Sequence, residues 1–331
     1  MKQKLLKPPP HDGGTFFQPE LDVIRQQCQQ ATSIGIAHQP GFYHPGISFK
    51  FQTWQALPSP AKRIVFVDTD KAVLNILLPD GDQTRQLDII NSERTWRDYP
   101  NLTERQWTGI LTRIEDRLKT LTPVEYERRL EYFLRFKNIL LGHLDQALLK
   151  ELLSRTFLGY ADIQHPYQYV STFLIKRSYQ DFARLIYYES DFYRQTFNAV
   201  LDEYKQRFQF RYKNYPFPAL EKDELPFWIL RDQQRHRCFQ QDWDVSKNDF
   251  RNILPRASTL MLYLRLCHVD FFIHDISGGN YEWVHDRVIE RFFKKNPRPY
   301  AVISRTQLIP PYPSRTFPYF LFEKNGVAFH K

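Results

Sequence analysis

Cysteine is scarce in this chain of 331 residues, which contains Cys28, Cys238 and Cys267. Because the number is odd and the positions are far apart, the sequence does not support a disulfide framework. No C-x-x-C pair is present, so the usual ligand spacing of a zinc ribbon is missing as well. Cys267 lies in an apolar run, which predicts a small buried side chain. This cysteine usage is typical of a reducing compartment, and we expect a cytoplasmic protein.

Long apolar runs are also missing. No stretch approaches the about 18 uninterrupted apolar residues of a membrane-spanning helix. Residues 1–10 are basic but lack the apolar segment of a signal peptide. The sequence therefore predicts no membrane partner.

Charge of one sign is never concentrated: no block of five or more like charges occurs, although the net charge is +9. The excess of positive charge is compatible with binding to a nucleic acid, an acidic membrane surface or an anionic ligand such as a nucleotide. It is equally compatible with a basic surface that only contacts solvent. Hydrophobic residues make up 42% of the chain and aromatic residues 16%, which excludes disorder for its bulk.

Two segments, one near each end of the chain, have the pattern of a strand, a loop, a helix and a second strand. The first is predicted as strand 33–37, loop 38–46, helix 47–57 and strand 63–68. The second is predicted as strand 270–274, loop 275–279, helix 281–294 and strand 300–304. The strands are apolar up to their carboxyl ends, as parallel strands buried on both faces are. This pattern predicts an α/β protein with a Rossmann-like, doubly wound parallel sheet.

The rest of the chain divides around these two units. Residues 72–78 and 85–90 predict a hairpin, residues 226–230 and 235–240 look like strands, and residues 103–212 have helical periodicity throughout. We therefore expect a flexible arm at 1–18, a core built from 19–100 and 220–305, a helical insertion at 101–219, and a tail at 306–331 that packs on the core.

Both loops carry glycine next to the start of a helix: Gly41 and Gly46 in the first, Gly278 and Gly279 in the second. A helix N-terminus offers free N–H groups and a partial positive charge, and glycine lets the backbone approach a ligand closely. In open α/β sheets, ligands bind outside the carboxyl ends of the strands. The two loops therefore predict one pocket for a small anionic molecule, such as a nucleotide.

Two histidines and a lysine surround the first loop. His38 and His44 bracket it, where imidazole groups could form hydrogen bonds to a phosphate as charge builds. Both are candidate catalytic residues, although loop histidines also commonly cap backbone groups. Lys50, one turn into the helix, is a candidate phosphate ligand.

Carboxylates stand at the end of the second strand. Asp68 and Asp70 could hold Mg²⁺ or an amine, with Asp70 also a candidate catalytic residue, or Asp68 could cap the following turn. His274, Asp275 and His285 could join His38, His44 and Asp70 in a zinc site. Because no H-E-x-x-H or other fixed metal spacing is present, zinc is not favoured.

Four stretches resemble bacillithiol synthase, the cysteine-adding enzyme of bacillithiol biosynthesis. Residues 37–42 with 47–50 look like its T-G-Q-Q-P-G-L-x-G-G-P-L-Y-x-x-Y-K signature, and residues 65–70 are placed like its P-V-F-W-x-A-x-E-D-H-D segment. Residues 252–256 resemble N-V-L-x-R, and residues 277–282 resemble G-G-P-x-E at the head of a helix. The four follow the same order and cover about a third of the chain.

The resemblance implies a nucleotidyltransferase-like Rossmann core with a helical connection domain, and ligation of cysteine to an amino sugar. The pocket residues it implies are Gln39, Gly41, Lys50, Asp70, Arg256, Gly278, Gly279 and Glu282. The chain is also similar to an uncharacterised bacterial group with G-H-Q-P-x-L-F-H-P-G loops, whose second site matches His274, Gly278, Gly279 and Tyr281.

We therefore expect an enzyme that binds ATP or ADP and forms a C–N bond between an amine and a carboxyl group, with magnesium as a candidate cofactor. Two alternatives stay open. One is a non-catalytic protein that binds a small ligand on the same fold. The other is a nucleic-acid-binding protein, because arginine and aromatic residues alternate at 207–212, a pattern that can stack bases.

Overall fold

The computed structural model describes residues 31–41, 45–58, 61–80, 83–120, 123–208, 217–247, 249–303, 305–306 and 324–325. The expected arm at 1–18, His44 and most of the expected tail lie outside these residues. Within them, no helix is both long and apolar enough to cross a membrane.

The described elements alternate between strands and helices at both ends of the chain. The first part contains β1 (Ser33–His38), α1 (Pro45–Ala56), β2 (Ala61–Phe66), β3 (Lys71–Asp80), β4 (Gln83–Thr95), α2 (Glu104–Leu118), α3 (Pro123–Leu141) and α4 (Leu149–Tyr160). The second part contains β5 (Tyr167–Tyr169), α5 (Arg177–Tyr188), α6 (Ser190–Phe208), β6 (Glu224–Arg231), β7 (Gln234–Phe239), β8 (Ile253–Pro255), α7 (Ala257–Tyr263), β9 (Phe271–His274), α8 (Glu282–Arg291) and β10 (Tyr300–Val302). Two short strands, β11 (Arg305–Thr306) and β12 (Lys324–Asn325), pair with each other.

Five strands form a parallel sheet in the order β10-β9-β1-β2-β5. The predicted α/β class and parallel sheet are thereby confirmed. Both faces of the sheet are covered, because the side chains of each strand alternate between two cores. On β2, Ile64 and Phe66 enter the core that α1 covers, whereas Val65 enters the core shared with α5, α6 and α8. This double burial explains why the strands are apolar throughout.

Helix α1 covers one face of the parallel sheet. Its Phe51 and Trp54 are fully buried against Ile34 and Ile36 of β1. The indole N–H of Trp54 donates to the carbonyl oxygen of Ile34 over 3.1 Å, so the bulkiest side chain of the helix also has its polar atom satisfied. Packing of α1 against β1 thus holds the first crossover in place.

A second, antiparallel sheet has the order β3-β4-β7-β6-β8. The predicted hairpin exists as β3 and β4, and it is longer than expected and contains register shifts. The strands expected at 226–230 and 235–240 form as β6 and β7, and they pair in this antiparallel sheet. Helices α2, α3 and α4 share a hydrophobic core with β3 and β4.

The stretch expected to be entirely helical contains one strand of the parallel sheet. β5 is three residues long and pairs with β2, from Ile64 opposite Tyr167 to Phe66 opposite Tyr169. So short a strand has no alternation that can be recognised, and flanking helical patterns hide it. The prediction for Cys267 was wrong as well. It lies in the π-helical turn Leu264–His268 and is exposed, whereas Cys238 is buried.

Gly35 is required by the close approach of β1 to Val269. A Cβ atom at residue 35 would lie 2.5 Å from Cγ1 of Val269. We expect Gly35→Ala to lower the free energy of unfolding by about 1–3 kcal/mol, because neither the strand nor the segment before β9 can move away without disturbing the sheet. Urea denaturation would measure this.

Gly109 provides the matched control. It lies in α2, where a Cβ would meet nothing within 4 Å. Gly109→Ala should raise the stability by about 0.5–1 kcal/mol, because alanine reduces the entropy of the unfolded chain and favours the helix. If Gly35→Ala were as stable as the wild type, the close approach of β1 to Val269 would be disproved.

Candidate functional site at the strand switch point

The order of the parallel sheet reverses between β1 and β9. From β1 the chain proceeds to β2 and β5 on one side, and later returns to β9 and β10 on the other side. The carboxyl ends of these two central strands, at His38 and His274, therefore lie next to each other. Open α/β sheets bind their ligands outside such a switch point. The two crossovers that the sequence singled out meet there.

A buried ion pair joins the two crossovers. The ammonium group of Lys50, on α1, donates to the carbonyl oxygen of Ala37 and to Oδ2 of Asp275, each over 3.1 Å. Lys50 is 1% exposed. Burial lowers the pKa of Lys50, and the neighbouring Asp275 opposes that change. Burial would raise the pKa of Asp275, but Lys50 and the N–H of Gly278 outweigh it, and the net pKa lies well below the ordinary value.

His38 is held neutral beside this pair. Burial lowers its pKa to about 3, and the positive charge of Lys50 adds to the shift, while Asp275 partly opposes it. Its Nδ1 atom lies 3.4 Å from the carbonyl oxygen of Gln39. A neutral imidazole has one N–H donor and one acceptor nitrogen. His38 can therefore stabilise charge on a ligand through a hydrogen bond, but not as a cation.

The glycines of the second loop are required by packing. Residues Ile276–Gly279 form a single helical turn. A Cβ at Gly278 would lie 2.6 Å from Nδ1 of His274, and one at Gly279 would overlap Val302. The N–H of Gly278 donates to Oδ1 of Asp275, and the N–H of Gly279 donates to the carbonyl oxygen of the same residue, each over 2.9 Å. The N–H groups that we expected to meet an anion are thus paired inside the turn.

Behind this turn lies a buried charge cluster centred on Glu282. Its carboxylate is fully buried and pairs with Arg265, which is equally buried. Nε2 of His274 and Nδ1 of His285 each lie 2.9 Å from the same oxygen, Oε1. Burial alone would raise the pKa of Glu282, but the Arg265 cation and the two imidazoles hold it well below the ordinary value. Glu282 and His274 therefore support the second crossover from inside and are not exposed at the switch point.

Gln39 and Asp70 meet at the first crossover. The side-chain amide of Gln39 donates to Oδ2 of Asp70 over 2.7 Å, and Nη1 of Arg235 donates to Oδ1 over 2.6 Å. Arg235 lies on β7, so this contact joins the antiparallel sheet to the edge of the parallel one. Arg235 was not among the residues predicted from the sequence. Nothing in its neighbourhood on the chain distinguishes it from the other arginines of β7.

Arg256 is linked to this group through an aromatic ring. Its guanidinium carbon lies 4.4 Å from the ring centroid of Trp228, and that of Arg235 lies 5.3 Å from the same ring. Arg256 also pairs with the buried Glu224 over 2.5 Å. Burial alone would raise the pKa of Glu224, but the contacts with Arg237 and Arg256 outweigh this effect and lower the pKa to about 2. Contacts therefore run from Gln39 through Asp70, Arg235 and Trp228 to Arg256.

Asp68 has a different set of partners from Asp70. It is fully buried, and its carboxylate accepts the N–H and the hydroxyl of Ser171 over 2.9 and 2.6 Å and the ammonium group of Lys150 over 2.7 Å. Both oxygens of Asp68 are therefore engaged by donors from elsewhere in the chain. Among the described residues, no group of three or more His, Cys, Asp or Glu side chains could hold a metal ion.

The remaining predicted site residues belong to the first loop. Gly41 is buried just after the strand, and Gly46 is the second residue of α1. Of the predicted residues, the structure places His38, Gln39, Lys50 and Asp70 at the carboxyl edge of β1 and β2. Asp275, which the sequence suggested only as a zinc ligand, is the main residue that the predicted nucleotide pocket did not include. Its position directly after a strand and before two glycines was the available signal.

Comparisons with protein-family models and with curated proteins found no match for this chain. The resemblance to bacillithiol synthase therefore stays a prediction.

Disruption of the Lys50–Asp275 pair should strongly lower the free energy of unfolding. In Asp275→Asn, the buried ammonium group loses its counter-charge, and we expect a loss of about 3 kcal/mol in the free energy of unfolding. The matched control is Asp116→Asn, which removes the exposed partner of Lys119 at 3.1 Å. That change should cost less than about 1 kcal/mol. If urea denaturation gave equal losses of the free energy of unfolding for the two variants, Lys50 would not be buried as the structure shows.

The stability of the protein should fall between pH 6.5 and about 3. Over that range the unfolded chain protonates His38 near the ordinary pKa of about 6.5, whereas the folded protein keeps it neutral down to a pKa of about 3. This single group contributes up to about 1.4 kcal/mol per pH unit, and its contribution is fully present above pH 6.5. His38→Gln should flatten the pH profile of the free energy of unfolding. Replacement of the exposed His236 by Gln is the control.

Proposed function

We propose that the chain is a cytoplasmic enzyme that binds an anionic small molecule, a nucleotide such as ATP or ADP, at the carboxyl edge of β1 and β9. The observation that supports this most is the convergence at the switch point. A buried lysine, a carboxylate and a neutral histidine from opposite ends of the chain lie within one group of contacts there. Ligand sites in open α/β sheets occur at this position.

The charges around the switch point define which ligand groups fit. Lys50 and Arg235 supply positive charge, and both already pair with a carboxylate, Asp275 and Asp70. A ligand with a phosphate or carboxylate group can compete for these cations, while an amine can be held by the carboxylates. Such a mixed lining suits a substrate that carries both kinds of group.

For the reaction, we propose the class that the resemblance to bacillithiol synthase implies. The amine nitrogen of one substrate forms a bond to the carboxyl carbon of the other and loses a proton. The carboxyl oxygen leaves with a phosphate group derived from the nucleotide. In this proposal His38, as a neutral hydrogen-bonding group, contacts the charge that develops on the reacting atoms.

A non-catalytic binding protein on the same fold is the second candidate. One observation favours it: Asp68 and the N–H groups of Gly278 and Gly279 are all engaged by partners within the chain. Fewer groups are then available to assist a reaction than the sequence suggested.

A thermal-shift titration with ATP, ADP and AMP, with and without Mg²⁺, tests the binding. A ligand that binds the folded state raises the melting temperature in a dose-dependent way. Arg235→Gln should weaken binding at least tenfold, because it removes a cation of the site. Arg231→Gln is the control, since this exposed arginine pairs with Asp242 away from Asp70. No shift with any nucleotide would overturn the proposal.

His38→Ala separates the two candidates. If the protein is an enzyme, this variant should bind the nucleotide with little change but lose nucleotide hydrolysis or transfer in the presence of amine and carboxylate substrates. If the wild type binds nucleotide and shows no turnover with any such pair, the non-catalytic candidate is the correct one.

A further inference from the structure

Three basic side chains form a cluster on the face of the parallel sheet opposite α1. We call Arg63 of β2, Lys176 just before α5, and His268 at the end of the π-helical turn the basic cluster. Nζ of Lys176 lies 4.6 Å from the ring centroid of Phe173, and the imidazole ring of His268 lies 4.7 Å from the same centroid. Phe173 therefore holds two of the three groups next to each other.

Arg63 lies on the same face as Phe173. Its neighbour two residues along β2, Val65, is buried in the core that contains Phe173 and Val269. Because side chains on a strand alternate, Arg63 projects toward that face, closer to the amino end of the strand. Val269 directly follows His268 in the chain. The three basic groups thus converge near the amino ends of β2 and β9, away from the carboxyl edge that carries the switch point.

The positive charges of Arg63 and Lys176 have no counter-charge among the residues that the structure describes. In the part of the chain that the structure describes, none of these three side chains forms a hydrogen bond or an ion pair, and Nε of Arg63 and Nε2 of His268 are buried without a partner. Asp270, two residues after His268, is engaged by Ser33 and Arg298. Most buried polar atoms in proteins have partners, so this arrangement calls for an explanation.

The electrostatics of the basic cluster also indicate an excess of positive charge. Burial lowers the pKa of Lys176, and the charge of Arg63 lowers it further. Burial lowers the pKa of His268 to about 4, with Arg63 and Lys176 adding to the shift. Helix α5 begins directly after Lys176, and it has neither an acidic residue in its first turn nor a side-chain cap. Cations at the positive end of a helix dipole are unfavourable unless an anion compensates them.

We propose that the basic cluster is a binding site for a single phosphate group, separate from the switch point. A guanidinium group, an ammonium group and an imidazole are donors that recognise phosphate oxygens. A bound dianion would neutralise the mutual repulsion of these groups. Two cations and a neutral imidazole close together fit one compact anion. The ligand is therefore inorganic phosphate or the phosphate end of a small phosphomonoester.

Isothermal titration calorimetry of the full chain with inorganic phosphate and with glycerol phosphate tests the site, at constant ionic strength with chloride as the reference anion. We expect saturable binding to the wild type and at least a tenfold weaker affinity in Lys176→Gln and in Arg63→Gln. Arg177→Gln is the matched control, because this neighbouring arginine is 93% exposed and pairs with Asp181. Its affinity should stay within twofold of the wild type.

Two further measurements distinguish loss of phosphate binding at the basic cluster from misfolding and from binding at the switch point. Without phosphate, Lys176→Gln should melt at a temperature equal to or higher than the wild type, since it relieves repulsion. Arg235→Gln should bind phosphate at the basic cluster like the wild type. Tighter binding of glycerol phosphate than of phosphate would identify a phosphomonoester as the ligand, and the reverse would identify free phosphate. Binding that is absent, or equal in all variants, would overturn the proposal.

Discussion

β1 is hydrogen-bonded to a parallel strand on both sides, and the arrangement of both crossovers depends on this double pairing. Residues 34–36 of β1 face β2 on one side and β9 on the other. Since β9 comes from the far end of the chain, this pairing brings segments that are distant in sequence to the same edge of the sheet. Gly35 leaves room for Val269 at the centre of this arrangement. The contact between Lys50 and Asp275 follows directly from it.

Buried charges occur where elements that are distant in sequence meet. Lys50 pairs with Asp275 between the crossovers, and Lys150 pairs with Asp68 between α4 and the end of β2. Desolvation makes such pairs expensive, so their net contribution to stability is small. Breaking one partner, however, leaves an uncompensated charge in the interior. These pairs therefore restrict how the elements can be arranged more than they add to the stability of the fold.

The two edges of the parallel sheet differ in electrostatics. At the carboxyl edge of β1 and β2, the cations of Lys50 and Arg235 are matched by carboxylates within 3.1 Å or less. Near the amino ends, on the other face, Lys176 and His268 lie against one ring, and no carboxylate among the described residues pairs with them. A paired site suits a ligand that carries both charges, and an unpaired one suits a simple anion. The two proposals thus concern different chemistry and can fail separately.

Local pattern was sufficient to predict β1, β2, β9 and β10 and their parallel arrangement, because apolar runs that end in turn residues are a property of the chain itself. It also placed His38, Lys50 and Asp70 near one edge of a sheet, whereas Gln39 was implied by the resemblance to bacillithiol synthase. The three-residue β5, the separate antiparallel sheet and the partnership of Arg235 with Asp70 could not be predicted in this way. Each depends on which surfaces pack together after the chain has folded. The same holds for the roles of Gly278 and Glu282, since burial and hydrogen bonding are decided by neighbours that are distant in sequence.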